Sequence, residues 1–212
     1  MSAAETRFKI LTFNNIATAG LERLPRGRYE VASEMTHPDA MILRSADLHE
    51  HSFPPSLRAV GRAGAGVNNI PVDRLSELGV PVFNTPGANA NAVKELVIAG
   101  MFLAARNICQ AWAFTRAAVA DAEDQAALNR AVEAGKKSFV GFELPGRTLG
   151  VVGLGAIGVK VANAARRLGM NVLGFDPAMT VSSAWQLSSQ VGHVASIGEL
   201  LRKSDMVSLH VP

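Results

Sequence analysis

The 212-residue sequence has one cysteine, one tyrosine and two tryptophans. A single cysteine rules out an internal disulfide framework and a multi-cysteine zinc site, and no metal is expected. Cys109 lies in an apolar helical run and is expected to be a small buried hydrophobe in a reducing compartment. The net charge is +3 and the pI about 9.4, but the basic residues are scattered. With so few aromatics there is neither a basic stripe nor a stacking platform, which argues against nucleic acid as a partner. The N-terminal "MSAAETRFKILTF" lacks the apolar core of a signal peptide. The longest apolar run, "LVIAGMFLAA" at 96–105, has about half the residues needed to span a bilayer. A soluble, cytoplasmic protein with no membrane partner is expected.

What is present is a globular composition, 48% hydrophobic and 18% charged. Short β-rich runs at 8–13, 29–32, 40–44, 58–63 and 80–84 alternate with helical segments such as 72–79. That alternation predicts parallel strands with crossover helices. From Asn91 the stretch "AVKELVIAGMFLAARNICQAW" predicts one long helix, apolar on nearly every face and therefore buried between layers. Residues 116–139 are alanine-rich and charged, which predicts an exposed helix. A Pro-Gly turn in "ELPGRTL" then restarts the alternation, with helices at 156–168 and 183–190 and short strands at 171–176, 192–195 and 206–211. Two domains are expected, residues 1–90 and 91–212. The second shows four strands against the roughly six of a complete dinucleotide-binding sheet, so the chain reads as cut short.

The segment "LGVVGLGAIG" places Gly153, Gly155 and Gly158 in a G-x-G-x-x-G turn between a strand and a helix. The first glycine allows the tight turn, the second lets backbone approach a pyrophosphate, and the third allows helix to pack on strand. The phosphates would rest on amides near Ala156 and Ile157 at the positive end of the helix. Asp176 follows Gly158 by 18 residues, at the end of the next strand. There its carboxylate accepts from ribose hydroxyls and repels a 2′-phosphate, which favours NAD over NADP.

Four stretches in order, "VGRAGAGVNNI", "VFNTPGANANAVKELVIAGMFLAARNI", "LPGRTLGVVGLGAIG" and "LHVP", resemble the D-isomer-specific 2-hydroxyacid dehydrogenases. The resemblance implies an α/β protein with a flavodoxin-like substrate domain and a truncated Rossmann domain, a doubly wound parallel sheet that binds NAD. It implies oxidation of a small 2-hydroxy acid by hydride transfer to NAD. Arg44 and Ser45 match an Arg-Ser pair that contacts substrate, and an arginine fork suits phosphate or carboxylate. Arg62 to Asn68 matches a glycine-rich loop in which Gly64, Ala65, Gly66 and Asn68 bring backbone amides to the substrate carboxylate. Asn89 matches an asparagine near the substrate, or caps the long helix. Lys94 stands where alanine is common. It touches an anionic ligand or sits in the helix's first turns. His210, Val211 and Pro212 match a loop that lines the nicotinamide pocket.

The family's arginine and its histidine–glutamate pair would fall beyond Pro212, so no catalytic residue is expected within this chain, which alone should be inactive. None of its five histidines has a carboxylate at a spacing that suggests a paired general base. Arg44 leans toward a phosphorylated substrate such as 3-phosphoglycerate, with glycerate or lactate as alternatives. A non-catalytic NAD-sensing regulator on the same fold stays open. Segment 116–139 corresponds to an arm used in dimer contacts, implying a homodimer or higher homo-oligomer.

Overall fold

The structure is a computed structural model and describes residues 7–211. The chain divides into two compact units, Met1–Asn89 and Ala90–Pro212. In the first, the elements run β1 (Phe8–Thr12), α1 (Thr18–Leu21), β2 (Tyr29–Ala32), β3 (Ala40–Leu43), β4 (Ala59–Arg62), α2 (Val72–Glu77) and β5 (Val82–Phe83). All pairings are parallel, in the order β2-β1-β3-β4-β5. This is the flavodoxin-like order, which reverses direction between β1 and β3. Alternation along β3 buries Met41 and Leu43, and they join Val60, Leu75 and Val80 in the unit's core.

The second unit opens with α3 (Ala90–Ala105), α4 (Ile108–Asp121) and α5 (Gln125–Gly135). It continues as β6 (Thr148–Val152), α6 (Gly158–Arg167), β7 (Asn171–Phe175), α7 (Val181–Gln186), β8 (Gly192–His193), α8 (Ile197–Lys203) and β9 (Met206–Leu209). Its sheet is parallel in the order β8-β7-β6-β9, the 3-2-1-4 arrangement of a doubly wound sheet. β6 is central and buried on both faces, as parallel strands require. Leu149 and Val151 face the cluster formed with Val161, Ala162 and Ala165 of α6 and Met101 of α3, while Val152 packs with Leu200 of α8. Only a glycine at position 150 leaves α8 room, since a Cβ there would meet the Leu200 side chain.

Several expectations need correction. The single long helix is two helices bent by 59°, because Asn107 takes the left-handed conformation (φ 50°). The returning chain occupies the break: Phe142 donates its amide to the Ala105 carbonyl at 2.9 Å, and Asn107 Nδ2 donates to the Val140 carbonyl. The helices are not apolar cores on all sides either. α3 packs one face on α6 and leaves Leu96 74% exposed, and α4 has no buried residue. Cys109 is accordingly exposed, not buried. Residues 116–139 form the end of α4, then α5 capped by Asp124, then a short 3-10 turn at Lys136–Phe139. The helix expected at 183–190 lies at Val181–Gln186, started by a Thr180 cap, and the strand expected at 192–195 spans only Gly192–His193.

Candidate functional site

In the second unit the switch of strand order falls between β6 and β9, and the residues after both strands meet there. Gly153 follows β6 with φ +86°, a conformation costly for any residue with a Cβ. A Cβ at Gly153 would also lie 2.7 Å from the His210 carbonyl oxygen and 2.9 Å from Val211 Cγ1. The His210 amide donates to the Val152 carbonyl at 2.8 Å, which fixes the end of β9 against the loop. Pro212 lies outside the described residues.

The other two glycines have opposite surroundings. A Cβ at Gly158 would fall on the Gly153 carbonyl oxygen, so this glycine lets α6 press against the turn. A Cβ at Gly155 would meet no heavy atom of the described residues within 4 Å. Among the described residues the amides of Gly155, Ala156 and Ile157 have no acceptor, and they stand just before the ten-residue α6. Open space beside a glycine, with free amides at a helix N-terminus, fits the pyrophosphate of a dinucleotide.

Asp176 follows β7 and is half-buried. Its Oδ2 accepts from the Leu154 amide and its Oδ1 from the Ala178 amide, each at 2.8 Å. A carboxylate has about four acceptor positions, so one on each oxygen stays available for vicinal ribose hydroxyls. His210 places Nε2 2.8 Å from Ser208 Oγ, and burial lowers its pKa below the ordinary 6.5, so the ring favours its neutral form.

In the first unit the switch lies between β1 and β3, and a residue that the sequence reading missed bridges it. Asn14, after β1, adopts φ 63°, and its Oδ1 accepts from the amides of Ser45 at 2.9 Å and Ala46 at 2.8 Å. The signal was an asparagine directly after the first strand, since asparagine tolerates the left-handed region and bonds backbone. Arg44 and Ser45 are thereby held at the C-terminal end of β3, both exposed. Ala63 donates its amide to the Leu43 carbonyl at 2.8 Å, placing the loop after β4 beside them.

In that loop the Gly64 amide is spent on the Arg62 carbonyl at 2.9 Å. Gly64 and Ala65 accept from the Thr85 amide and Asn84 Nδ2, while the amides of Ala65, Gly66, Val67 and Asn68 have no acceptor among the described residues. Successive free amides make an anion-binding concavity. Arg62 adds a cation that the motif reading passed over in favour of backbone. Its guanidinium folds over the loop, so that a Cβ at Gly64 would sit 2.5 Å from Nη1, and its buried Nε has no partner among the described residues. Asn69, also missed, ties the loop to β3's exit by donating Nδ2 to the Ala46 carbonyl at 2.7 Å.

Other candidates are placed differently. Asn89 is exposed in the turn before α3 and makes no side-chain hydrogen bond among the described residues, so it does not cap the helix. Lys94 is answered within its own helix, by Asn91 Oδ1 at 2.9 Å and Glu95 at 3.7 Å. One histidine does meet a carboxylate: His49 Nδ1 lies 2.6 Å from Asp47 Oδ1. The His49 amide and ring hold the Asp47 carboxyl below its ordinary range. The same oxygen accepts the His49 amide, so the pair closes a local exposed turn. Among the described residues no three His, Cys, Asp or Glu cluster in a metal-binding arrangement, and no single helix is long and apolar enough to cross a membrane.

Two family models match the chain, and their matches overlap at residues 98–138. Residues 98–212 match the family described as "D-isomer specific 2-hydroxyacid dehydrogenase, NAD binding domain", and residues 11–138 match its "catalytic domain". The chain is 37% identical over 188 residues to a D-3-phosphoglycerate dehydrogenase of Methanocaldococcus jannaschii, covering 86% of this chain and 32% of that protein. It is 36% identical over 179 residues to a hydroxypyruvate reductase of Thermotoga maritima, covering 82% and 51% respectively. The chain thus spans about a third to a half of the length of these curated relatives. Among solved structures, the NAD+-bound 3-phosphoglycerate dehydrogenase of Entamoeba histolytica is similar with a TM-score of 0.70 at 26% identity. That match covers 98% of this chain and 63% of the other. The chain belongs to the D-isomer specific 2-hydroxyacid dehydrogenase family and carries the family's NAD-binding domain.

Proposed function

We propose that the chain supplies the substrate- and NAD-binding parts of a D-3-phosphoglycerate dehydrogenase, which oxidises 3-phosphoglycerate to 3-phosphohydroxypyruvate in serine biosynthesis. The observation that carries this reading is the arginine pair. Arg62 pairs in register with Leu43 and Arg44 follows Leu43, so the two arginines lie one step apart at neighbouring strand ends, with the Arg62 guanidinium over the loop of free amides. 3-Phosphoglycerate carries a phosphate and a carboxylate, and planar forks hold both kinds of oxygen bidentately. Lactate carries one anionic group and would leave a cation unanswered.

In this reading the first unit holds substrate through Arg44, Ser45, Gly64, Ala65, Gly66 and Asn68, with Asn89 a further contact. The second holds NAD through Gly153, Gly155, Ala156, Ile157, Gly158 and Asp176, with His210, Val211 and Pro212 toward the nicotinamide. NAD held there would supply the hydride acceptor. The chain's own residues orient the two partners and exclude 2′-phosphate. Turnover of the complete protein on a panel of 2-hydroxy acids tests the assignment. NADH formation from 3-phosphoglycerate should exceed that from glycerate or lactate by more than about tenfold, the worth of one charged hydrogen bond. Equal rates would sink the phosphorylated substrate. Faster reduction of hydroxypyruvate than of 3-phosphohydroxypyruvate would favour glycerate as the substrate, the reading that the Thermotoga relative supports.

The same proposal includes a cytoplasmic homodimer. Along α4, Ile108, Trp112, Arg116 and Val119 form one stripe, with Trp112 65% exposed. Trp112, Arg116 and Val119 line a groove of about 420 Å³. An exposed tryptophan with an arginine stacked on it is characteristic of interface anchors. Trp112→Glu should shift sedimentation from dimer to monomer, and an unchanged dimer would exclude this face.

A further inference from the structure

We propose that Asp176 positions the phosphate-binding loop in addition to reading the ribose, an inference that rests on the NAD assignment above. An acid at this place in a dinucleotide site is ordinarily understood as a selector between ribose and 2′-phosphate. Here the carboxylate already does structural work without a ligand. Oδ2 takes the Leu154 amide at 2.8 Å, across 22 residues of chain, and Oδ1 takes the Ala178 amide at 2.8 Å. The second bond closes a turn at Asp176–Ala178 and fixes the orientation of the carboxylate. The first bond fixes the residue between Gly153 and Gly155.

Leu154 is held at its other end as well. Its side chain is buried in the second unit's core, and a Cβ at Gly174 of β7 would lie 2.9 Å from Leu154 Cδ1. The three free amides at Gly155, Ala156 and Ile157 begin at the next residue. Their position is therefore set by the carboxylate from one side and by β7 packing from the other. Asparagine cannot reproduce this arrangement. Its single carbonyl oxygen takes one of the two backbone donors, and its NH₂ meets the other donor to donor. A shorter serine cannot span both. Exchanging Asp176 for a residue that tolerates a 2′-phosphate should thus lose NAD without gaining NADP, because the pyrophosphate cradle loosens with it.

Two measurements on the complete protein test this. The first needs no variant: amide hydrogen exchange by NMR without cofactor should show Leu154 protected at least tenfold more than Gly155, Ala156 and Ile157. Equal exchange at all four would overturn the anchor. The second uses an NAD analogue lacking both hydroxyls of the adenosine ribose, titrated against wild type and Asp176→Asn, each checked for an intact melting transition. If Asp176 serves the ribose alone, the variant binds this analogue as well as wild type does, which overturns the anchor. As an anchor, it should weaken the analogue about fivefold to tenfold, a loss that the absent hydroxyls cannot explain. Wild-type indifference to the missing hydroxyls, with Leu154 still protected, would remove the ribose contact and leave the anchor standing.

Discussion

Alanine at Gly158 is expected to abolish NAD binding and lower the melting temperature, whereas alanine at Gly155 should weaken NAD and leave stability unchanged. The same added methyl group acts oppositely because of what surrounds it. At Gly158 it would fall on the Gly153 carbonyl, a backbone atom with no flexible end to swing away. Gly153 cannot retreat, since its φ is +86° and its amide donates to the Phe175 carbonyl at 2.9 Å. Either α6 shifts off the sheet or the turn opens. Overpacking of this kind costs about 1–3 kcal/mol, a fall of a few degrees in melting temperature for a protein of this size. The displaced amides then no longer converge on a pyrophosphate. At Gly155 the methyl meets nothing within 4 Å among the described residues, so the fold is untouched. It occupies the space through which the phosphates approach the amides of Ala156 and Ile157, and NAD should weaken by at least about tenfold. Calorimetric titration and thermal melting of both variants separate the effects. Undiminished NAD affinity in Gly155→Ala would remove the cradle from this turn.

What the sequence could reveal was whatever repeats over short distances. Short β-rich runs alternating with helical segments pointed to both sheets, and the 18 residues from Gly158 to Asp176 placed an acid at the end of β7. Features that depend on contacts across the chain were not legible. The break at Asn107 needs a segment that returns more than 30 residues later, whose Val140 carbonyl accepts from Asn107 Nδ2 and whose Phe142 amide donates to the Ala105 carbonyl. Nothing in "AARNICQAW" announces it, since asparagine inside a helical pattern costs only a fraction of a kcal/mol, roughly 0.7 at most relative to alanine. Cys109 followed the same error, for a buried helix was assumed and an exposed one forms. Asn14 gains meaning only when β3 lies beside β1, which brings the Ser45 and Ala46 amides to its side chain. The bond from the Leu154 amide to Asp176 was likewise not legible, because that amide is a partner no motif names.

Arg44→Gln and Arg62→Gln should each raise the KM for 3-phosphoglycerate about 10- to 100-fold, from losing ~1.5–3 kcal/mol of charge-assisted hydrogen bonding. NAD affinity should stay at its wild-type value. Neither arginine is a structural prop. Arg44 is exposed and bonds to nothing among the described residues, so its loss should stay within about 0.5 kcal/mol of wild-type stability. Arg62 has a buried Nε without a partner among the described residues, so shortening it removes an unsatisfied donor rather than breaking a bond. Lysine at either position keeps the charge and loses the fork, and should fall between wild type and glutamine. The double variant carries the most information. If one arginine holds the phosphate and the other the carboxylate, the two losses add; if both hold one phosphate, each single change already disrupts the shared group and the double falls short of the sum. Phosphate-free glycerate sharpens this further, since the arginine that holds phosphate should matter little to it. A double variant that retains the wild-type KM would show that the two strand ends do not bind the substrate anions.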